Sequence, residues 1–124
     1  MKRDLDNFLI QWAQKKHRKP LLLRGARQTG KSYSVEKLAK LFPYFVCVNF
    51  ERNPSLGKLF IQDLDPQRII REIEAIFEKK ITPGKTLLFF DEIQNCPPAV
   101  TALRYFYEET PALHVVGAES FVKS

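Results

Sequence analysis

The feature that most constrains this chain is Gly25-Ala26-Arg27-Gln28-Thr29-Gly30-Lys31-Ser32, which fits G-x-x-x-x-G-K-[ST] at each fixed position. Its context matters more than the pattern. Leu21–Arg24 is a short apolar run bounded by Pro20 and Gly25, the signature of a buried strand. Residues 31–41 read as a helix, stopped by Pro43. Strand, glycine loop and helix in that order make a cradle for phosphate. Successive backbone N–H groups of such a loop form an anion nest, and the helix N-terminus adds its dipole. Lys31 then reaches the β- and γ-phosphates as a point charge, and the Ser32 hydroxyl is a magnesium ligand. Arg27 and Gln28 either contact nucleotide or a neighbouring subunit, or fill the crest of the loop in solvent. The bland alternative for the whole stretch, a turn with a chance lysine, does not account for the flanking strand and helix.

The rest of the chain extends the same alternation. Leu5, Phe8, Leu9 and Trp12 have helical spacing, which predicts an amphipathic helix over 4–17. Tyr44–Phe50 is rich in aromatic and β-branched residues and predicts a second strand. A short helix is expected near Leu56–Ile61. Asp65 and Pro66 form an N-cap and first-turn pair for a helix over 66–80, with Ile69, Ile73, Ile76 and Phe77 on its core face. Thr86–Phe90 predicts a third strand. Pro97 and Pro98 open a helix carrying Val100, Leu103, Phe106 and Tyr107 on one face, and Leu113–Gly117 predicts a fourth strand. The expected fold is α/β: a three-layer α/β/α arrangement with a mostly parallel sheet. In such sheets ligands sit beyond the carboxyl ends of the strands, where both polar motifs of this chain lie.

The second motif is Leu87-Leu88-Phe89-Phe90-Asp91-Glu92, an apolar strand ending in two acids. A carboxylate at that point belongs to the metal site, which makes Asp91 a magnesium ligand. Glu92 beside it can polarise an attacking water as general base. Taken alone, the pair could be a strand leaving the core into a polar loop; a phosphate loop upstream favours the catalytic reading. The adjacent glutamate also points away from GTPases and nucleotide kinases and towards the P-loop branch that hydrolyses ATP with a strand-borne Glu. That branch inserts an extra strand between the phosphate-loop strand and the acidic strand. Leu113–Gly117 is the candidate, with Ser120 or Glu119 near its tip; the bland reading of both is a disordered tail.

Composition narrows the remaining classes. With 124 residues the chain has room for one domain, and no apolar run approaches the roughly 20 residues of a membrane span. The N-terminus lacks a signal-peptide pattern, and Cys47 and Cys96 lack metal-ligand spacing, so the thiols are read as free and the compartment as cytoplasmic. Cys47 and His114 are expected in the core and His17 on the surface. Residues 1–40 hold eleven lysines or arginines against three acids, whereas residues 41–124 carry a net −2. A nucleic-acid patch would explain the asymmetry, but no basic and aromatic interleaving accompanies it. A solvated surface together with phosphate binding is the simpler account.

Together these stretches are identifiable. RKPLLLRGARQTGKS, FVCVNFE, PGKTLLFFDEIQNCP, ALRYFYEETPALHVV and GAES resemble the prokaryotic AAA-type ATPases that carry a C-terminal nuclease-like domain. The resemblance runs from about residue 18 to the end. It implies ATP binding, magnesium and hydrolysis, with the Walker A loop at Gly25–Ser32, the metal carboxylate at Asp91, the catalytic residue at Glu92 and a sensor serine at Ser120. Gln94 falls within the acidic-strand motif without an assigned role. Where the family usually reads Ala-Gly-Ser, this chain reads Ala118-Glu119-Ser120, which would set a negative charge close to the γ-phosphate. The fifth strand, helical lid, second sensor, arginine finger and C-terminal domain of the family have no counterpart here. Residues 1–124 are therefore expected to be a single, truncated ATPase domain with an open sheet edge at Leu21–Arg24.

The leading functional expectation is a magnesium-dependent ATPase module that turns over in a fuller context. The alternatives are a nucleotide-binding fragment without turnover, and a basic nucleic-acid-binding protein. Expected partners are ATP, a missing C-terminal domain or a second copy of the chain; a membrane is not expected.

Overall fold

The computed structural model describes residues 2–26 and 30–121. Helix α1 (Lys2–Gln14) leads into β1 (Leu21–Ala26), followed by α2 (Lys31–Ala39) and β2 (Tyr44–Asn49). A 3-10 segment, Pro54–Phe60, precedes α3 (Pro66–Phe77) and β3 (Thr86–Asp91). A 3-10 turn at Ile93–Asn95 joins β3 to α4 (Pro97–Glu109), and β4 (His114–Phe121) follows. The four strands form one parallel sheet in the order β1-β4-β3-β2. β4 thus lies between the phosphate-loop strand and the acidic strand, as the resemblance implies.

The sheet is covered on both faces. Val46, Val48, Leu88, Phe90 and Val115 face one core with Ile69 and Ile73 of α3 and Ala102 and Phe106 of α4. Leu87, Phe89, Val116 and Ala118 face the other with Leu9 and Trp12 of α1 and Val35 and Leu38 of α2. All six residues of β3 are buried. A central parallel strand covered on both sides has no solvent face, which is why TLLFFD reads as a continuous apolar run rather than an alternation.

Several expectations are corrected at the element ends. α1 stops at Gln14, not residue 17, and the Trp12 indole N–H donates to the Lys19 carbonyl at 2.7 Å, folding the basic turn back. α3 stops at Phe77, because Glu78 takes a left-handed conformation (φ 53°) whose N–H closes on the Glu74 carbonyl. The segment near Leu56–Ile61 is a 3-10 helix starting at Pro54. β1 continues through Gly25 to Ala26, and β4 continues to Phe121, because the two pair over six positions from Leu21↔Val116 to Ala26↔Phe121. Glu119 and Ser120 therefore belong to a strand, not a tail. The helical stripes are narrower than their spacing suggests: Phe8, Ile76 and Tyr107 are 51%, 53% and 40% exposed. His17 is exposed and His114 buried, as expected, whereas Cys47 is only half-buried. Both thiols are free, and burial pushes that of Cys47 up to about 12. No helix among the described residues is long and apolar enough to cross a membrane.

Candidate active site

The site lies beyond the carboxyl ends of β1, β4 and β3. Arg27, Gln28 and Thr29, at the crest of the loop, lie outside the described residues. On either side of them lie Ala26, which ends β1, and Gly30, which leads into α2. Gly30 sits at φ 85°, ψ 11°, a left-handed conformation that turns the chain into α2, and its carbonyl accepts from the Ser34 N–H at 2.9 Å. Lys31 is buried, and its ammonium donates to the carbonyls of Gly25 (3.2 Å) and Ala26 (3.1 Å). The side chain thus spans the mouth of the loop and is more enclosed than the sequence suggests.

Ser32 meets Asp91. The hydroxyl donates to the two carboxylate oxygens at 3.2 and 3.0 Å. The Glu92 N–H donates to the same carboxylate at 2.9 Å, and the Asn49 amide approaches it at 3.5 Å. Burial holds the Asp91 carboxyl above the usual carboxylate range, the Ser32 hydrogen bond opposes this, and the neighbouring Glu92 charge adds to it. A buried carboxylate in this state favours a cation beside it. The donor set suits a hard ion held by one carboxylate, one hydroxyl, water and substrate phosphates. It does not suit an all-protein cage: no cluster of three or more His, Cys, Asp or Glu side chains forms a metal site among the described residues.

Glu92 follows in a left-handed conformation (φ 54°, ψ 46°), unusual for a residue with a side chain. One oxygen of its carboxylate accepts from the Gln94 amide at 2.9 Å, and the other from the Ser120 hydroxyl at 3.3 Å. Ser120, from the tip of β4, is thus brought to Glu92. Glu119 points elsewhere. Its register partner on β1 is Arg24, and its carboxylate lies 3.4 Å from the Arg24 guanidinium. Alternation along β4 sets it on the face opposite Ala118 and Ser120, with its charge paired to Arg24.

Two contributors escape the sequence reading. Asn49 is the register partner of Asp91 at the tip of β2, where its side-chain oxygen accepts from the N–H groups of Glu51 and Arg52, both at 2.9 Å. A polar residue ending the apolar run YFVCVN was the available signal. The part played by Gln94 depends on the turn after β3, which no local pattern announces.

Residues 17–123 match the family model of the AAA domain. Among solved structures, the fold is similar to that of PCH-2 from C. elegans, with a TM-score of 0.60 and 18% identity. That match covers 99% of this chain and 37% of the other, so the chain spans little more than a third of that protein's length. At this identity the likeness speaks to fold. No curated protein matches.

Proposed function

Because the chain belongs to the AAA domain family, we propose that it is the nucleotide-binding part of an ATPase, taking ATP with magnesium at Gly25–Ser32 and Asp91. The observation that carries this reading is the convergence of Ser32 on Asp91 at 3.0 Å while the Lys31 ammonium spans the loop mouth. Backbone N–H groups of the loop and the N-terminus of α2 bind the phosphates. The Lys31 ammonium exchanges the carbonyls of Gly25 and Ala26 for phosphate oxygens, which carry more negative charge. Ser32 and Asp91 would hold magnesium, which when bound neutralises charge on the β- and γ-phosphate oxygens. In hydrolysis a water oxygen attacks the γ-phosphorus, the bond to the β–γ bridging oxygen breaks, and Glu92 takes the water proton. Ser120, beside Glu92, is suited to sense the γ-phosphate.

Titration of a fluorescent ATP and GTP, with and without magnesium, tests the reading. Affinity should need magnesium and fall at least tenfold in Lys31→Ala, with far-UV circular dichroism unchanged. Equal affinity in variant and parent would overturn it. The isolated chain is expected to hydrolyse slowly, since an arginine finger supplied from outside is worth about 10³–10⁵ in rate.

A further inference from the structure

We infer that Gln94 is the positioning residue of this site: it ties the Glu92 carboxylate to the backbone of β4, so that the general base stays in place whatever the Ser120 hydroxyl does. The inference rests on the ATPase reading above and assigns a role that the sequence leaves open.

The orientation of the Gln94 amide is set by chemistry. The Ser120 backbone N–H is a donor only, and it lies 3.0 Å from the Gln94 side-chain oxygen. The amide nitrogen is therefore the group that faces Glu92, a carboxylate that accepts it at 2.9 Å. One amide thus reads the position of the β4 tip with its oxygen and holds the catalytic carboxylate with its nitrogen.

The turn that carries Gln94 is itself anchored. Ile93 is fully buried between Glu92 and Gln94. A Cβ at Gly117 would lie 3.1 Å from the Ile93 Cδ1, so the bare glycine on β4 leaves room for that side chain to seat under the strand. Glu92 takes its left-handed conformation, and Gln94 reaches the Ser120 N–H on β4. A residue other than glycine keeps such a conformation only where its surroundings impose it.

The two hydrogen bonds to Glu92 are unequal. The Gln94 bond is short at 2.9 Å, and the Ser120 hydroxyl bond is long at 3.3 Å. The hydroxyl can turn to a phosphate oxygen and release one carboxylate oxygen for water. The other oxygen remains held by Gln94, so the base does not swing away as the sensor engages.

Single-turnover hydrolysis of γ-labelled ATP, with the 124-residue chain in excess, tests this alongside fluorescent-ATP binding. The parent should exceed Glu92→Gln; equality would defeat the ATPase reading itself, and the inference with it, without involving any Gln94 variant. Gln94→Met should lower the rate about tenfold to a hundredfold, the scale of a small misplacement of a catalytic group, with ATP affinity within about twofold of the parent. Gln94→Glu keeps an acceptor for the Ser120 N–H but sets a like charge against Glu92, and it should fall as far. Added to Glu92→Gln, Gln94→Met should cost nothing more. Gln94→Glu turning over like the parent would overturn the inference, as would affinity falling in step with rate. Independently of turnover, Glu92→Ala should shift the Gln94 side-chain amide resonances in a ¹⁵N spectrum. Unmoved resonances would also overturn it.

Discussion

The Ser32 hydroxyl donates to Asp91 Oδ2 at 3.0 Å across 59 residues of sequence, joining the start of α2 to the end of β3. The burial of the carboxylate, which that hydrogen bond only partly offsets, comes at a cost to the fold. Burial raises the Asp91 carboxyl, so the folded chain binds its proton more tightly than the unfolded chain does. Its contribution is favourable at low pH and is lost as pH rises through the raised value. At neutral pH the charged carboxylate therefore opposes folding.

Asp91→Asn is accordingly expected to keep or raise the melting temperature of the nucleotide-free protein by a few degrees, while removing the magnesium dependence of ATP binding. Asparagine can still accept from the Glu92 N–H, so the end of β3 keeps that tie. Melting curves with and without magnesium check both parts. A nucleotide-free variant that melts well below the parent would show that the carboxylate is structural.

His114 gives the clearest pH dependence. Its Nδ1 lies 2.7 Å from the Arg18 guanidinium, and its Nε2 lies 2.9 Å from the Ala13 carbonyl. Arg18 can only donate and the carbonyl can only accept, so the ring is neutral, with its proton on Nε2. The rings of Trp12 and Phe42 meet it edge-on. Burial, followed by the Arg18 charge, holds its pKa below the ordinary 6.5, against the Ala13 hydrogen bond. The unfolded chain thus takes up the proton first. This stabilisation is whole above about pH 6.5 and is lost as pH falls through the lowered folded value. Thermal melts should show a decline between pH 7 and 5.5 that is shallower in His114→Gln. Parallel slopes in the two proteins would assign the decline to other groups.

Local chemistry marked out the candidate residues, and packing decided which of them meet. Gly25–Ser32 and Leu87–Glu92 stood out as candidates because each couples an apolar strand to polar residues of fixed spacing. The place of β4 beside β1 followed from resemblance, since no local pattern states strand order. The end of β4 was not legible: Ala118-Glu119-Ser120-Phe121 looks like a polar tail, and only the pairing of Gly25↔Ser120 and Ala26↔Phe121 makes it a strand. The direction of Glu119 follows from that pairing, because alternation along a strand needs a register before it assigns a face. The contact of Gln94 with the tip of β4 was hidden for a related reason. Its partner Ser120 is 26 residues away, and the adjacent Ile93 packs against Gly117 of the same strand.

The open side of β1 carries the last expectation. Among the described residues β1 has β4 as its one strand partner, so its outer side is an open edge of the sheet. Leu21, Leu22 and Leu23 are each only half-buried there, and Phe8 of α1 stands 51% exposed over a groove of about 310 Å³ that Trp12 and Leu21 also line. An apolar edge strand with free hydrogen-bonding groups is a template for another strand, and each Å² of apolar surface covered stabilises the pair by about 25 cal/mol. Pro20 and the charge of Arg24 bound the strand, but three leucines lie between them. The 124-residue chain should therefore self-associate with rising concentration and bind a hydrophobic dye while still folded. Phe8→Lys, which adds charge beside the edge at an exposed position, should shift sedimentation profiles towards the monomer without lowering the melting temperature by more than a few degrees. A parent that stays monomeric at high concentration and ignores the dye would mean that half-burial of the leucines, with Pro20 and Arg24 at either end, is enough to close the edge.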